Sequence, residues 1–212
     1  MVVDRPSDYW RRPAAAQAYE AERFHNVKGY LYRRLEERII RRALRGLPPG
    51  NRVLDVACGT GRVTALLRHQ GFRPTGCDIS RAMMDMARRQ LAAVGYEVPL
   101  VENNVESLPF QDNSFDAVTC VGLLMHLDAD VRVRALRELA RVTRDRLVVQ
   151  YVCSGAFLRV KSFLTGRPLG GVRYPVSEAE IQAECERSGL TERARFWILR
   201  GVSSSVIVLL SR

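Results

Sequence analysis

Five residues carry the chemistry this sequence offers most openly: Asp55, Gly59, Gly61, Asp78 and His126. The first three stand in Val53-Leu54-Asp55-Val56-Ala57-Cys58-Gly59-Thr60-Gly61-Arg62, an apolar run of strand type that ends in a small-residue turn. Val63-Thr64-Ala65-Leu66-Leu67 follows with spacing that suits a helix. Strand, tight glycine turn and helix open a nucleotide-binding α/β unit. The two glycines let the backbone turn sharply and approach a ligand with no Cβ in the way. The helix start behind them offers free N–H groups to a negative group. Asp78 lies 17 residues after Gly61, at the end of a second strand, where a carboxylate can accept both ribose hydroxyl protons. The competing role for Asp78 is an acid that complements a helix dipole. His126, in Leu124-Met125-His126-Leu127 beyond a fourth strand, is the candidate general base, because imidazole can take a hydroxyl proton near neutral pH. Its competing roles are a helix cap or a packed side chain. His25 and His69 read as structural or surface residues.

The elements that must position these residues follow from periodicity. Residues 1–13 are polar and punctuated by proline, and Ala14 to Phe24 reads as a short helix that carries Tyr19. Tyr30 to Leu47 is a clearer helix, with Leu31, Leu35, Ile39, Ala43 and Leu47 recurring every four residues. Pro48-Pro49-Gly50 stops it. The first strand is Arg52–Ala57 and a helix covers about Arg62–Gly71. A second strand near Pro74–Cys77 runs into Asp78-Ile79-Ser80, and Ser80 can cap a helix whose inward face is Met83 or Met84, Ala87, Leu91 and Val94. A third strand lies within Val98–Glu102 and a fourth is Phe115–Val121. Asp128 can cap a helix that buries Val131, Ala135, Leu139 and Val142, and a fifth strand is Arg146–Val152. Ser177-x-x-Glu180 is a capping box, and two closely linked strands, Thr191–Leu199 and Ser204–Leu210, end the chain. Alternating strands and helices followed by a hairpin imply a mostly parallel sheet with an antiparallel edge. In such a sheet a ligand lies beyond the carboxyl ends of the strands.

Asp55-x-Ala57-x-Gly59-x-Gly61 resembles motif I of the class I S-adenosylmethionine-dependent methyltransferases, with alanine where that family often has its first glycine. The third glycine of the dinucleotide pattern is absent, since Val63 and Thr64 occupy that region. After the third strand the family reads Asp-Ala-Glu before Leu-Pro-Phe; here Asn104-Val105-Glu106 precedes Leu108-Pro109-Phe110. Phe115-Asp116-Ala117-Val118 resembles motif IV. Together these motifs match from about residue 50 to residue 152. The resemblance implies a Rossmann-like α/β fold with seven strands in the order 3-2-1-4-5-7-6, strand 7 antiparallel, and helices on both faces. It implies S-adenosyl-L-methionine as cofactor, held by Asp55, Ala57, Gly59 and Gly61, by Asp78 on the ribose, and by Ile79 against the adenine. Asn104 and the Val105 backbone N–H would meet the adenine edge, an asparagine carbonyl accepting without the charge of aspartate. Cys120 and Val121 would lie at the sulfonium end. Tyr19 would reach inward from an N-terminal lid. Tyr151, Arg200 and Ser203 would face the cleft on the substrate side, where Arg200 could fix an anionic acceptor.

Residues 1–212 read as one domain: an N-terminal lid and helix (1–47), a cofactor-binding core (50–152), a variable substrate loop (153–176), and a C-terminal helix and hairpin (177–212). A hydrophobic content of 47% and a charged content of 26% are ordinary for a globular protein, and the longest apolar run, Val206 to Leu210, is far short of a membrane span. The N-terminus has neither signal-peptide nor transit-peptide character, so cytoplasm is the expected location. Five cysteines without a CxxC pair speak against zinc or a disulfide framework and for buried thiols. The expected activity is methyl transfer to O, N or C of a small molecule. A formal charge of +10 keeps RNA or an anionic membrane lipid open as the acceptor. A cofactor-binding partner subunit without its own catalysis is the third reading. No stable partner protein is evident.

Overall fold

The computed structural model describes residues 27–153, 174–199 and 204–212. The N-terminal segment with Tyr19, most of the 153–176 loop, and Arg200 and Ser203 lie outside them. The described elements are α1 (Val27–Ala43), β1 (Arg52–Val56), α2 (Arg62–His69), β2 (Arg73–Asp78), α3 (Arg81–Ala93), β3 (Leu100–Glu102), β4 (Phe115–Cys120), a 3-10 turn (Leu124–His126), α4 (Ala129–Val142), β5 (Thr143–Val152), α5 (Glu178–Arg187), β6 (Thr191–Trp197) and β7 (Ser205–Ser211). The strands form one seven-stranded sheet in the order β3-β2-β1-β4-β5-β7-β6. β7 runs antiparallel to both β5 and β6, and the remaining neighbours are parallel. This is the sheet that the resemblance implied. Among the described residues no helix is long and apolar enough to cross a membrane.

Strand alternation splits the core in two. Leu54, Val56, Val118, Leu147, Val149 and Tyr151 face one side with Ala135, Leu136 and Leu139 of α4 and Ile181 of α5. Val53, Ala117, Val148 and Ile207 face the other with Ile40 of α1 and Val63, Leu66 and Leu67 of α2. Covering both faces suits strands that read as apolar runs rather than as alternating ones.

The caps match their sequence signals. Ser80 Oγ accepts from Met83 N, Asp128 Oδ1 accepts from Val131 N at 3.0 Å, and Ser177 and Glu180 form a reciprocal capping box. Three helix faces differ from expectation; in α4, Val131 is half-buried at the edge of the helix's packed face rather than buried in it. In α1 the buried residues are Glu36, Ile40 and Ala43, followed by Leu44, whereas Leu31 is 52% exposed. The apolar repeat is rotated because Glu36 is itself at the centre of the contact. Its carboxylate pairs with Arg62, and its Oε1 accepts from Gln150 Nε2 at 2.8 Å. Val94 is 60% exposed, since α3 ends at Ala93 and the chain turns there. Cys58, Cys77, Cys120, Cys153 and Cys185 are all buried free thiols.

Candidate functional site

A cavity of about 430 Å³ opens at the carboxyl ends of the strands. That is a volume in the range of small-molecule and cofactor sites. β1 and its turn contribute Val56, Ala57 and Gly59; β2 and the following turn give Cys77, Asp78 and Ile79; the segment after β3 gives Asn103 to Glu106. The opposite wall is Val121 to Leu123, His126 to Asp128, and Val131 and Arg134 of α4. Met83 of α3 also lines it.

The glycine turn is built by left-handed backbone. Ala57, Gly59 and Gly61 have φ of 56°, 55° and 86°, and Gly61 N donates to Cys58 O at 2.9 Å. Gly61 then serves as the N-cap of α2. The two glycines answer different needs. A Cβ on Gly61 would come within 3.0 Å of the Ala87 Cβ, so this glycine permits α2 to pack on α3. A Cβ on Gly59 would meet open space, on the cavity side.

Asp78 is 8% exposed and faces the cavity. Gly59 N donates to its Oδ2 at 2.8 Å and Ser80 N donates to its Oδ1 at 2.9 Å. These two bonds fix the carboxylate and leave each oxygen a further lone pair. Burial raises its pKa, against the pull of the backbone N–H groups of Ser80, Gly59 and Ile79.

Asp55 stands in the adjacent strand, two register positions deeper in the sheet, where it pairs with Gly76. It is 1% exposed and does not line the cavity. Thr64 Oγ1 donates to its Oδ2 at 2.6 Å and Thr119 Oγ1 donates to its Oδ1 at 2.9 Å. Burial pushes its pKa up to about 6, chiefly against the two threonine hydrogen bonds. The carboxylate thus bolts β1 to β4 and to α2.

Of the residues singled out in the sequence, Ala57, Gly59, Asp78, Ile79, Asn104, Val105 and His126 meet at the cavity. Asn104 Oδ1 already accepts from Glu106 N at 3.2 Å, and Asn103 Oδ1 accepts from Asn104 N at 2.7 Å. Four of the others point elsewhere. Asp55 and Gly61 serve the packing just described, and Cys120 is fully buried in the core. Tyr151, expected to face the cleft, is 1% exposed among core residues, and its hydroxyl donates to Glu184 Oε2 at 3.2 Å. Tyr151 shares the α4–α5 face with Leu147 and Val149 and is covered there by those helices.

Sequence reasoning did not single out Arg134, Glu106, Leu123 or Leu127 as wall residues. Arg134 Nε donates to Glu106 Oε2 at 2.8 Å, a half-exposed ion pair that spans from the segment after β3 to α4. One signal was available: Arg134 follows Val131 by three positions, on one helix face. Among so many arginines it carried little weight.

A family model described as a methyltransferase domain matches residues 53–146, the stretch that holds most of these walls. Demethylmenaquinone methyltransferase of Symbiobacterium thermophilum is 42% identical over 101 residues, covering 45% of this chain and 39% of that protein. A probable tRNA methyltransferase 9B of Mus musculus is 34% identical over 104 residues, covering 49% of this chain and 22% of that one. The matched stretch is therefore less than half the length of these curated relatives. The crystal structure of magnesium protoporphyrin IX methyltransferase from Synechocystis, with bound SAH, superposes with a TM-score of 0.80 at 20% identity, over 97% of both chains. The matched domain, the strand order and the motifs at the strand ends agree: residues 53–146 match a methyltransferase domain, and the chain around them has the fold of the solved methyltransferase on which it superposes.

Proposed function

We propose that this protein binds S-adenosyl-L-methionine at the carboxyl edge of its sheet and transfers the methyl group in line to O, N or C of a small-molecule acceptor. The observation that carries the reading is the pairing of Gly59 with Asp78. A side chain at Gly59 would occupy the space a ligand needs, and the Asp78 carboxylate beside it is held with free lone pairs turned to that space. Asp78 would accept the ribose hydroxyls, with Ile79 against one adenine face and the Asn104–Val105 segment at the adenine edge. The family's cofactor supplies an electrophilic methyl group on a sulfonium. The chain's own work is then orientation and exclusion of water, which can be worth on the order of 7–11 kcal/mol. His126 would take a proton from the acceptor if the nucleophile carries one. The relatives named for menaquinone and protoporphyrin methylation support a small, largely apolar acceptor.

A second reading, with RNA or an anionic lipid as the acceptor, is favoured by the formal charge of +10 and by the relative named for tRNA. Arg34, Arg38 and Arg41 stand exposed along one side of α1. Calorimetric titration with S-adenosylmethionine and S-adenosylhomocysteine tests the cofactor. Micromolar binding of both is expected, and binding of NAD instead would discard the site. Methyl transfer from labelled cofactor to fractions of small molecules, RNA and lipid separates the acceptors. RNA or vesicle binding that weakens steeply with salt would favour the second reading. A protein that binds the cofactor and labels no fraction would be a binding subunit.

A further inference from the structure

The wall that carries His126 is held from behind by a buried ion pair. Arg132 and Glu184 are 3% and 4% exposed. Arg132 Nε and Nη2 donate to Glu184 Oε1 at 2.9 and 2.7 Å, and Tyr151 donates to the same carboxylate. One guanidinium nitrogen is left over for a different purpose. Arg132 Nη1 donates to the main-chain carbonyl of Leu127 at 2.6 Å, and Leu127 and His126 both line the cavity. From the other side, Tyr174 N donates to the Met125 carbonyl at 3.1 Å.

An isolated buried ion pair adds little net stability, since desolvation offsets the attraction. A well-packed apolar pair would serve α4 and α5 equally well. What an apolar pair could not do is hold one particular carbonyl in one direction. Lysine could keep the charge opposite Glu184, but it lacks the rigid planar fork that engages a carboxylate and a carbonyl together.

We propose that Arg132, fixed by Glu184, is a positioning residue for the acceptor-side wall: through the Leu127 carbonyl it sets where the His126 ring stands over the cavity. This rests on the cofactor reading above, and it adds a role that does not touch the cofactor. The chain has three histidines, so the His126 ring signal in an NMR spectrum is assignable with one His126→Gln control.

In the wild type, S-adenosylhomocysteine should shift the His126 Cε1–H signal. In Arg132→Lys the affinity for S-adenosylhomocysteine should stay within about twofold and melting should remain cooperative. The bound-state His126 signal should instead be displaced or broadened. For any acceptor that the wild type methylates, kcat should fall tenfold or more with KM for the cofactor unchanged. Glu184→Gln, which keeps shape and loses the charge, should move the same signal in the same direction by less, and it decides the matter if the lysine variant does not fold. A His126 signal that overlays the wild type in either folded variant overturns the proposal. So does a loss of cofactor affinity that tracks the loss of stability, which would make the pair a structural tie only. If the wild type itself neither binds S-adenosylhomocysteine nor shifts His126, the cofactor reading fails instead.

Discussion

β1 with the turn after it, and the end of β2, contain two aspartates and two glycines, and they sort into opposite pairs. Asp78 and Gly59 face the cavity and bond to each other, carboxylate to N–H, at 2.8 Å. Asp55 and Gly61 face the protein: the aspartate accepts from Thr64 and Thr119, and the glycine admits the Cβ of Ala87. Identical residue types, the glycines two positions apart and the aspartates in neighbouring strands, line the cavity in one pair and form the sheet's own joints in the other. Residue type alone therefore does not mark a binding residue. How close to the carboxyl end of the strand it falls, and what packs beside it, decides.

The largest effect expected from this contrast is at Asp78. Asp78→Ala removes the acceptor proposed for both ribose hydroxyls and also frees the N–H groups of Gly59 and Ser80 that shape the turn. Hydrogen bonds to a charged partner are worth about 1.5–3 kcal/mol each, so cofactor affinity should fall by about 3 kcal/mol, on the order of 100-fold. Calorimetry reads it directly. If Asp78→Ala bound the cofactor as tightly as wild type and Asp55→Ala did not, the two aspartates would have to exchange roles.

Gly61→Ala comes next, and its effect should be on stability. The residue has φ of 86° and a Cβ there meets both Cβ and Cα of Ala87, at 3.0 and 3.3 Å. Left-handed backbone costs an alanine roughly 1–2 kcal/mol and overpacking adds a comparable amount, so about 2–3 kcal/mol is expected in a urea melt. Ala87→Gly costs about 1 kcal/mol on its own as a glycine inside α3, so relief of the contact should appear as a double variant, Gly61→Ala with Ala87→Gly, that loses less than the sum of the two single variants.

How far the sequence led can be judged on the same residues. Strand, glycine turn and helix were legible because each has a local signature: an apolar run, small residues, a 3.6-residue repeat. The carboxyl edge of the sheet was legible too, and with it Ala57, Gly59, Asp78, Ile79, Asn104, Val105 and His126 as neighbours. What was not legible was depth. Asp55, Cys120 and Tyr151 lie at or near strand ends, but one or two positions separate the sealed core from the cavity wall: Cys120 is buried and Val121 lines the cavity. Where that boundary falls depends on where the crossing helices settle. The partners of buried charges were equally hidden: Glu36 meets Gln150 and Arg132 meets Glu184 across more than 50 positions, and no local pattern encodes such a contact. Glu36 rotated the expected apolar face of α1 for this reason.

At Asp55 the expected effect depends on pH. Asp55 is pushed up to about 6 from an ordinary value of 3.8, mainly by burial. An acid raised in the fold binds its proton more tightly there than in the unfolded chain. Its contribution therefore favours the folded state at low pH, declines as pH rises between about 4 and 6, and is a full cost above 6. Asparagine fits the same place: its carbonyl can accept from Thr64, and its amide can donate to Thr119 Oγ1, whose proton can turn to Leu54 O at 3.4 Å. Relative to wild type, Asp55→Asn should gain about 2 kcal/mol in stability between pH 4 and pH 7, with cofactor affinity within about threefold. Urea melts at the two pH values check it. A difference that does not change with pH would mean that burial does not control this carboxylate.

The smallest effect, and the sharpest for the contrast, is at Gly59. Alanine there meets no heavy atom within 4 Å, so only its left-handed backbone, φ 55°, weighs against it. That is about 1 kcal/mol of stability, less than half the loss at Gly61. The Cβ would instead stand in the open space proposed for the cofactor, and would hold it off the turn. Gly59→Ala should therefore melt close to wild type and bind the cofactor about tenfold more weakly, about 1.4 kcal/mol. Gly61→Ala should do the reverse, losing stability and keeping affinity in whatever fraction stays folded. Thermal melts with and without S-adenosylhomocysteine read both quantities at once. If the two alanine variants lost affinity and stability in the same proportion, the division of the turn into a ligand side and a packing side would not hold, and the open space at Gly59 would have to be assigned to something other than the cofactor.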